Sequence, residues 1–311
     1  MPCPNTFIIG APKCGTTSLS NYLAQHPQVY FSNPKEPLYW ADDFPMANNA
    51  SYCPIKNFED YLLLFKKANA SHRIIAEGTT TYLYSKTAVK RILSTVPDAK
   101  FIVMLRNPID LAYAWHGELV YNSTEDEPNF EIAWNLQKTR SQGNKIPRSC
   151  QVPEFLQYGL VGKLGSQVKR MLDLAPRTQC HFIFMDDLQK NMRQEFLNVT
   201  EFLGLEPDSR AKAERANSSK QMRFPFVAQL FFTPPQPLAP IAKGIRRHFH
   251  KLPSPLKTRL NNFFRPARSR NILNPTFRRH LEEYFEDDIL LLASLLQRDL
   301  SSWNQQRSHE Q

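Results

Sequence analysis

Short apolar runs recur along the chain and are separated by longer amphipathic stretches. Each run is rich in Ile, Val or Phe and apolar almost throughout, which is typical of a strand covered on both faces. Four runs of this kind predict strands at Thr6–Ile9, Arg73–Ala76, Phe101–Leu105 and His181–Met185.

Helical patterns follow three of these runs, at Thr17–Gln25, Pro108–Tyr121 and Asn191–Leu203. Thr and Ser at the start of the first pattern suit the beginning of a helix. Strands and helices therefore alternate, which predicts an α/β fold with a parallel β-sheet flanked by helices on both faces. Apolar residues at helical spacing predict a last helix over Pro275–Leu300.

The composition predicts a folded chain with an uneven distribution of charge. Of 311 residues, 41% are hydrophobic, which is enough for a sizeable core and excludes a wholly disordered chain. The net charge is +10, yet the segment Arg215–Leu281 holds 14 Lys or Arg and no Asp or Glu, so the rest carries 25 minus 29, or −4. Such an excess indicates an anionic partner: a phosphorylated cofactor, an acidic substrate, nucleic acid or a membrane surface.

Proline and phenylalanine are frequent within the basic segment, where the alternation of strands and helices breaks down. We therefore predict a single domain over residues 1–311 with a basic, Pro- and Phe-rich insert at about 225–274. No apolar run reaches the roughly 18 residues that a membrane span needs. The five cysteines are odd in number and widely spaced, which predicts neither a disulfide framework nor a metal site. With no secretory signal in the first residues, we expect a cytoplasmic protein.

The loop after the first predicted strand carries the first chemical motif. The strand ends at Gly10, the loop contains Lys13 and Gly15, and a helix begins near Thr17. Glycines let the backbone approach an anion, the first amides of a helix donate to it, and a lysine adds charge, so a phosphate cradle is predicted. The Walker A order Gly-Lys-Ser/Thr is missing, which disfavours an ordinary ATPase or GTPase. A tight strand–helix turn with a surface lysine is the alternative.

Arg106 carries the second motif, because it directly follows the predicted strand Phe101–Leu105. The carboxyl edge of a parallel sheet is where ligands bind, and the planar guanidinium suits bidentate contact with a phosphate. The alternative is an arginine that ends the strand and pairs with a nearby carboxylate.

Together, the loop and the segment Leu105-Arg106-Asn107-Pro108 resemble the sulfotransferases that use 3′-phosphoadenosine 5′-phosphosulfate (PAPS), in particular the carbohydrate branch typified by heparan sulfate sulfotransferases and their bacterial relatives. The resemblance implies the sulfotransferase fold and transfer of a sulfo group from PAPS to a hydroxyl or amine, with a carbohydrate as the expected acceptor and no metal. It assigns cofactor binding to Lys13, Cys14, Gly15, Thr16, Thr17, Ser18, Arg106 and Lys220.

The same resemblance implies catalytic roles for two residues. Glu36 matches the family's catalytic glutamate, which would remove a proton from the acceptor, and Lys13 would stabilise charge on the departing nucleotide. Two positions depart from the family pattern. Gly78 stands where many relatives have a lysine beside the sulfate, and Ala114 stands where a serine usually contacts the 3′-phosphate.

The sequence also allows other interpretations of these residues. Glu36 could simply pair with Lys35 or cap a helix. His116 and Glu77 are alternative bases, and Glu77 could instead position Lys13.

Two other classes of protein also stay open. A P-loop kinase would need a magnesium-binding carboxylate after a strand, and Asp186 and Asp187 hold such positions. A catalytically inactive, PAPS-binding scaffold associated with a membrane would explain the basic segment. The cations within 243–270 are too many for the cofactor, so we expect the insert to cover the acceptor cleft or to contact an acidic glycan or a membrane surface. The last of these would make the protein membrane-peripheral. A solvated basic flap is the alternative, and no motif indicates a nucleic-acid partner.

Overall fold

The computed structural model describes residues 1–44, 55, 57–206 and 273–303. Within these residues, five strands form one sheet in the order β2-β3-β1-β4-β5, and every neighbouring pair is parallel. The predicted α/β fold with a parallel sheet is therefore confirmed. The strands are β1 (Thr6–Gly10), β2 (Val29–Phe31), β3 (Ile74–Gly78), β4 (Lys100–Leu105) and β5 (Cys180–Phe184).

Helices follow the strands and flank the sheet. Short 3₁₀ turns add to them at Pro153–Leu156, Arg177–Gln179 and Ser301–Trp303. The α-helices of the described residues are α1 (Thr16–Leu23), α2 (Phe58–Leu63), α3 (Ala88–Thr95), α4 (Pro108–Tyr121), α5 (Phe130–Asn135), α6 (Gln137–Ser141), α7 (Tyr158–Gly162), α8 (Leu164–Leu172), α9 (Met185–Lys190), α10 (Met192–Leu203) and α11 (Pro275–Leu296).

Local sequence explains where several helices begin and end. The side chain of Asn57 accepts a hydrogen bond from the Asp60 amide at the start of α2, and Asn191 does the same for Gln194 at the start of α10. Helix α10 stops at Gly204, which has a φ of 72° that glycine adopts without strain. These caps satisfy backbone groups that a helix end would otherwise leave unpaired.

The predicted elements differ from the observed ones mainly at their ends. Strand β2 was not predicted, because three residues at the edge of a sheet give too short a pattern to recognise. Helix α4 has the predicted bounds, whereas α11 ends at Leu296 instead of Leu300. The next residue, Gln297, has a φ of 50°, which breaks the helical geometry.

The chain divides into two compact units. The first comprises Met1–Ala112, Gly159–Asn217 and Arg278–Gln311, and the second Tyr113–Tyr158 and Ser218–Phe277. The predicted insert at about 225–274 lies almost entirely outside the described residues. The single domain over residues 1–311 with this insert stays a prediction.

The first unit contains the whole sheet, and its core lies along the central strands. Phe7, Ile8, Phe101 and Ile102 on β1 and β4 are fully buried. Strand β1 lies between β3 and β4, so the chain runs from β1 to one side of the sheet and later crosses to the other. In open α/β sheets, this reversal of strand order opens a crevice at the carboxyl ends of the strands, where ligands bind.

The second unit is organised around a buried ion pair. Arg140 donates two hydrogen bonds to the carboxylate of Glu125, at 2.5 and 2.7 Å, and the Tyr158 hydroxyl donates a third. The Phe130 ring packs against Tyr158 and Phe277. Burial opposes ionisation of Glu125, but the donors outweigh it and hold the pKa of this carboxyl below its ordinary value.

Candidate active site

The loop after β1 has a backbone that only glycine fits at two points. Gly10 has a φ of 149°, and a Cβ there would lie 2.8 Å from the carbonyl oxygen of Thr80. Gly15 precedes α1 with a φ of 89°. The Ala11 amide donates to the carbonyl of Met104 at 2.7 Å, which ties the loop to β4. The loop is thus held closely against the ends of β3 and β4.

Helix α1 points its amino end at this loop. The first amides of a helix have no partner inside it and can donate to an anion. Thr16 and Ser18 are buried there, and Thr17 is half-buried. Cys14 is also buried, its Sγ donates to the carbonyl of Pro12, and burial raises the pKa of its thiol to about 12. The Cys14 side chain therefore serves packing, and only its backbone can face a ligand.

Arg106 lies at the end of β4 and is 8% exposed. One guanidinium nitrogen donates to the carbonyl of Lys13 at 3.2 Å, and another lies 3.6 Å from the carboxylate of Asp110, one turn further along α4. The structure thus brings Arg106 to the loop that contains Lys13. Asp110 is the nearby carboxylate that the alternative interpretation of Arg106 requires, but 3.6 Å is longer than the distance in a strong ion pair.

Glu36 is fixed at the end of β3. Its amide donates to the carbonyl of Gly78 at 3.0 Å, and its Oε2 accepts hydrogen bonds from the amide and hydroxyl of Thr80 at 2.9 and 3.3 Å. Glu36 itself has a φ of 62°, a left-handed conformation that non-glycine residues rarely adopt. Strained backbone of this kind is frequent at functional sites. Thr80 was not identified from the sequence.

Lys35 connects this glutamate with the loop. Its Nζ lies 3.4 Å from Oε1 of Glu36 and donates to the hydroxyl of Thr16 at 3.1 Å. Burial lowers the pKa of Lys35, while the neighbouring Glu36 carboxylate opposes that shift. The pairing of Lys35 with Glu36 was one of the interpretations drawn from the sequence, whereas the contact with Thr16 was not predicted.

The two alternative bases lie in closed surroundings. Glu77 is fully buried on β3, and hydroxyls of Tyr61 and Thr79 donate to it. Burial raises the pKa of Glu77 to about 7. His116 belongs to the second unit, is 1% exposed, and its Nε2 lies 2.8 Å from the carbonyl of Glu127. Neither residue is accessible enough in this structure to meet a substrate.

The carboxylates that a kinase would need are bound to other side chains. Asp187 holds Arg298 through two hydrogen bonds of 2.5 and 2.8 Å, and Asp186 accepts from Nε1 of Trp303 at 2.7 Å. The bond from Arg298 lowers the pKa of Asp187. Both aspartates follow β5, at the opposite edge of the sheet from β2. This arrangement is that of a structural ion pair.

The structure describes only some of the remaining positions that were singled out in the sequence. Ala114 is half-buried on α4, whereas Lys220 and the cations of 243–270 lie outside the described residues. In the part of the chain that the structure describes, no group of three or more His, Cys, Asp or Glu could hold a metal ion. Across the same residues, no helix is both long and apolar enough to cross a bilayer.

A glycine-containing loop before a helix, a buried arginine and a glutamate held by hydrogen bonds thus lie at the carboxyl ends of adjacent parallel strands, where ligands bind in open α/β folds. The family model described as "Sulfotransferase domain" matches residues 4–227. The chain therefore belongs to the sulfotransferase family, and the resemblance seen in the sequence is confirmed.

Individual relatives agree with this assignment. The human bifunctional heparan sulfate N-deacetylase/N-sulfotransferase 2 is 27% identical over 212 residues, which cover 66% of this chain and 22% of that protein. The membrane-associated sulfotransferase kil1 of Dictyostelium discoideum is 30% identical over 132 residues, or 42% of this chain and 26% of that protein. The chain thus matches about a fifth to a quarter of the length of these relatives.

A solved structure supports the fold independently. The crystal structure of a sulfotransferase from Alicyclobacillus acidocaldarius superimposes with a TM-score of 0.72, covers 98% of this chain and 100% of that one, and is 24% identical in sequence. This likeness confirms the α/β sulfotransferase fold.

Proposed function

We propose that this protein transfers a sulfo group from PAPS to a hydroxyl or amine of a carbohydrate. The observation that carries the proposal is the position of Glu36, whose carboxylate is held by Thr80 beside the loop and linked to Thr16 through Lys35. A base placed next to an anion-binding loop is what direct transfer to an acceptor requires.

The residues divide the chemistry between binding and proton removal. The amides from Gly15 to Thr17 and the Lys13 ammonium hold the 5′-phosphosulfate, and Arg106 holds the 3′-phosphate. Glu36 takes the proton of the acceptor group as that group attacks sulfur. The bond between sulfur and the bridging oxygen breaks, its electron pair stays on the 5′-phosphate, and Lys13 offsets the resulting charge.

The carbohydrate acceptor is supported by the surface close to Glu36 in sequence. A cavity of about 470 Å³ is lined by aromatic and polar side chains that include Tyr39, Phe58, Asp42 and Arg91. Arg91 lies over the Tyr39 ring at 5.3 Å and 3.5 Å from the Asp42 carboxylate. The faces of the Tyr39 ring are covered by Tyr61 and Arg91, so the charged groups of Arg91 and Asp42 would bind the hydroxyls of a sugar. The heparan sulfate enzymes among the relatives support the same class of acceptor.

Calorimetric titration separates this proposal from the kinase. The reaction product 3′-phosphoadenosine 5′-phosphate (PAP) is expected to bind more tightly than ATP, because Arg106 has no 3′-phosphate to meet in ATP. A preference for ATP would contradict the proposal. No binding of either nucleotide would contradict it as well.

Turnover of PAPS then separates an active enzyme from an inactive scaffold. A panel of glycans is screened as acceptors, with Glu36→Gln as the variant. We expect Glu36→Gln to keep its affinity for PAP and to lose roughly 10²–10⁴-fold in turnover, the usual contribution of a general base. Glu154→Gln, on a different segment of the chain, is the matched control and should retain activity.

A further inference from the structure

The space above Gly78 is occupied by a side chain from another segment. A Cβ added at Gly78 would lie 3.0 Å from Cε of Lys35 and 3.1 Å from Cζ of Phe31. Any side chain at position 78 would therefore compete with the end of the Lys35 stem. The absence of a side chain at the end of β3 is what lets Lys35 cross the strand end and reach the loop.

The Lys35 ammonium lies at the amino end of α1, where an anion would bind. It donates to Oγ1 of Thr16, the first residue of α1, and lies beside the Glu36 carboxylate. An ammonium has three N–H donors, and these two contacts use at most two of them among the described residues. The lysine side chain is only 21% exposed, so its charge acts in a partly desolvated environment where electrostatic interactions are stronger than in water.

The ion pair with Glu36 does not by itself account for this placement. Glu36 already receives two hydrogen bonds from Thr80 on its other carboxylate oxygen. A lysine that served only to neutralise Glu36 could do so from solvent, because that carboxylate is 36% exposed. Reaching Thr16 instead costs Lys35 part of its hydration, which is offset if an anion binds at the same point.

We infer that Lys35 is a second cation of the sulfo-transfer site, which contacts the 5′-phosphosulfate of PAPS next to the Thr16 hydroxyl. The inference rests on the proposed function. As the bond from sulfur to the bridging oxygen breaks and its electron pair stays on the 5′-phosphate, Lys35 remains protonated and offsets the added charge together with Lys13. The acceptor proton still goes to Glu36.

Two nucleotides that differ only at the 5′ position test the contact. PAP carries a 5′-phosphate, and adenosine 3′-phosphate lacks it. Lys35→Met removes the charge and keeps most of the stem, so we expect PAP to bind roughly 10- to 100-fold more weakly, the cost of a hydrogen bond to a charged group. The affinity for adenosine 3′-phosphate should be unchanged. Lys67→Met, an exposed lysine just after α2, is the matched control and should bind both ligands as the wild type does.

A second variant moves the cation to the neighbouring position. Lys35→Ala/Gly78→Lys frees the space next to Gly78 and returns an ammonium from β3, with Phe31 shifting by a few tenths of an ångström. We expect this double variant to regain most of the PAP affinity that Lys35→Ala loses. Failure to regain it would contradict the placement of the cation over Gly78.

The outcomes distinguish this inference from the proposed function. Wild-type protein that fails to bind PAP overturns both. Wild-type binding with an unchanged Lys35→Met variant overturns the role of Lys35 alone. Equal weakening of PAP and adenosine 3′-phosphate by Lys35→Met identifies a merely structural lysine and also overturns the inference. Selective loss of PAP affinity supports it.

Discussion

Two buried glutamates, one in each unit, both accept hydrogen bonds from hydroxyl groups, but their pKa values are shifted in opposite directions. Glu77 and Glu125 are 0% and 2% exposed, and each accepts a hydrogen bond from a tyrosine hydroxyl. Arg140 adds a bidentate ion pair to Glu125, whereas no Lys or Arg of the described residues pairs with Glu77. The pKa of Glu125 is lowered and that of Glu77 is raised to about 7. Hydroxyl donors alone thus do not replace hydration of a buried carboxylate, whereas a cation does.

The buried arginines show the same contrast between structure and site. Arg140 is fully matched by Glu125, with two bonds of 2.7 Å or less. Arg106 is nearly as buried but has only the carbonyl of Lys13 and a 3.6 Å approach to Asp110 among the described residues. A guanidinium carries five N–H donors, so Arg106 keeps capacity for a ligand. In this protein, the arginine with incomplete pairing is the one at the carboxyl edge of the sheet.

The largest effect is expected at the complete ion pair. Arg140→Ala leaves the Glu125 charge buried without its partner, which typically costs about 3–5 kcal/mol of unfolding free energy. Urea denaturation measures the loss. Arg140→Ala/Glu125→Ala removes both charges and should be less destabilised than the single variant. A loss of unfolding free energy below about 1 kcal/mol in Arg140→Ala would contradict the idea that this buried ion pair stabilises the second unit.

The next effect is a pH dependence of stability from Glu77. Its pKa is about 7 in the folded chain against an ordinary value of 4.5, so the folded state binds more protons between these values. Stability therefore falls as pH rises through this window, by roughly 3 kcal/mol in total. Glu125 acts in the opposite direction, because its lowered pKa makes stability fall as pH decreases below its ordinary value.

Glu77→Gln isolates the first of these two terms. Denaturation midpoints measured from pH 4.5 to 7 should decline in the wild type more steeply than in the variant, while the acid side below pH 4.5 stays similar in both. Parallel curves over the whole range would show that Glu77 titrates normally.

The smallest effect on stability and the most selective effect on binding are expected at Arg106. Arg106→Ala should weaken PAP binding roughly 10- to 100-fold. The affinity for adenosine 5′-phosphate, which lacks the 3′-phosphate, should stay unchanged. Its loss of stability should be smaller than that of Arg140→Ala, since the pair with Asp110 is long and partly exposed. Calorimetry and denaturation of the same samples test both statements. An equal loss of affinity for both nucleotides would contradict the proposed contact between Arg106 and the 3′-phosphate.

The class of fold could be predicted from the sequence, and so could the positions of several residues of the candidate site, whose roles stay predictions. Apolar runs with a helix after them encode a parallel sheet, because each strand is buried on both faces and needs a crossover to the next. The loop with Lys13 and Gly15 could be recognised for the same local reason, since backbone conformation and charge lie within a few consecutive residues. Arg106 followed from its place at a strand end.

Only the tertiary structure decided which groups meet. Lys35 and Thr16 are 19 residues apart and Glu36 and Thr80 are 44 apart, and their contacts exist because β3 pairs with β2 on one side and with β1 on the other. The closed surroundings of Glu77 and the ion pair of Asp187 also depend on segments distant in the chain. Local patterns encode strands, turns and charges, whereas the choice of partners depends on long-range packing that no short segment contains. The sequence by itself therefore determined the family and the loop, and the packing of the sheet determined that Lys35 lies where Gly78 leaves room.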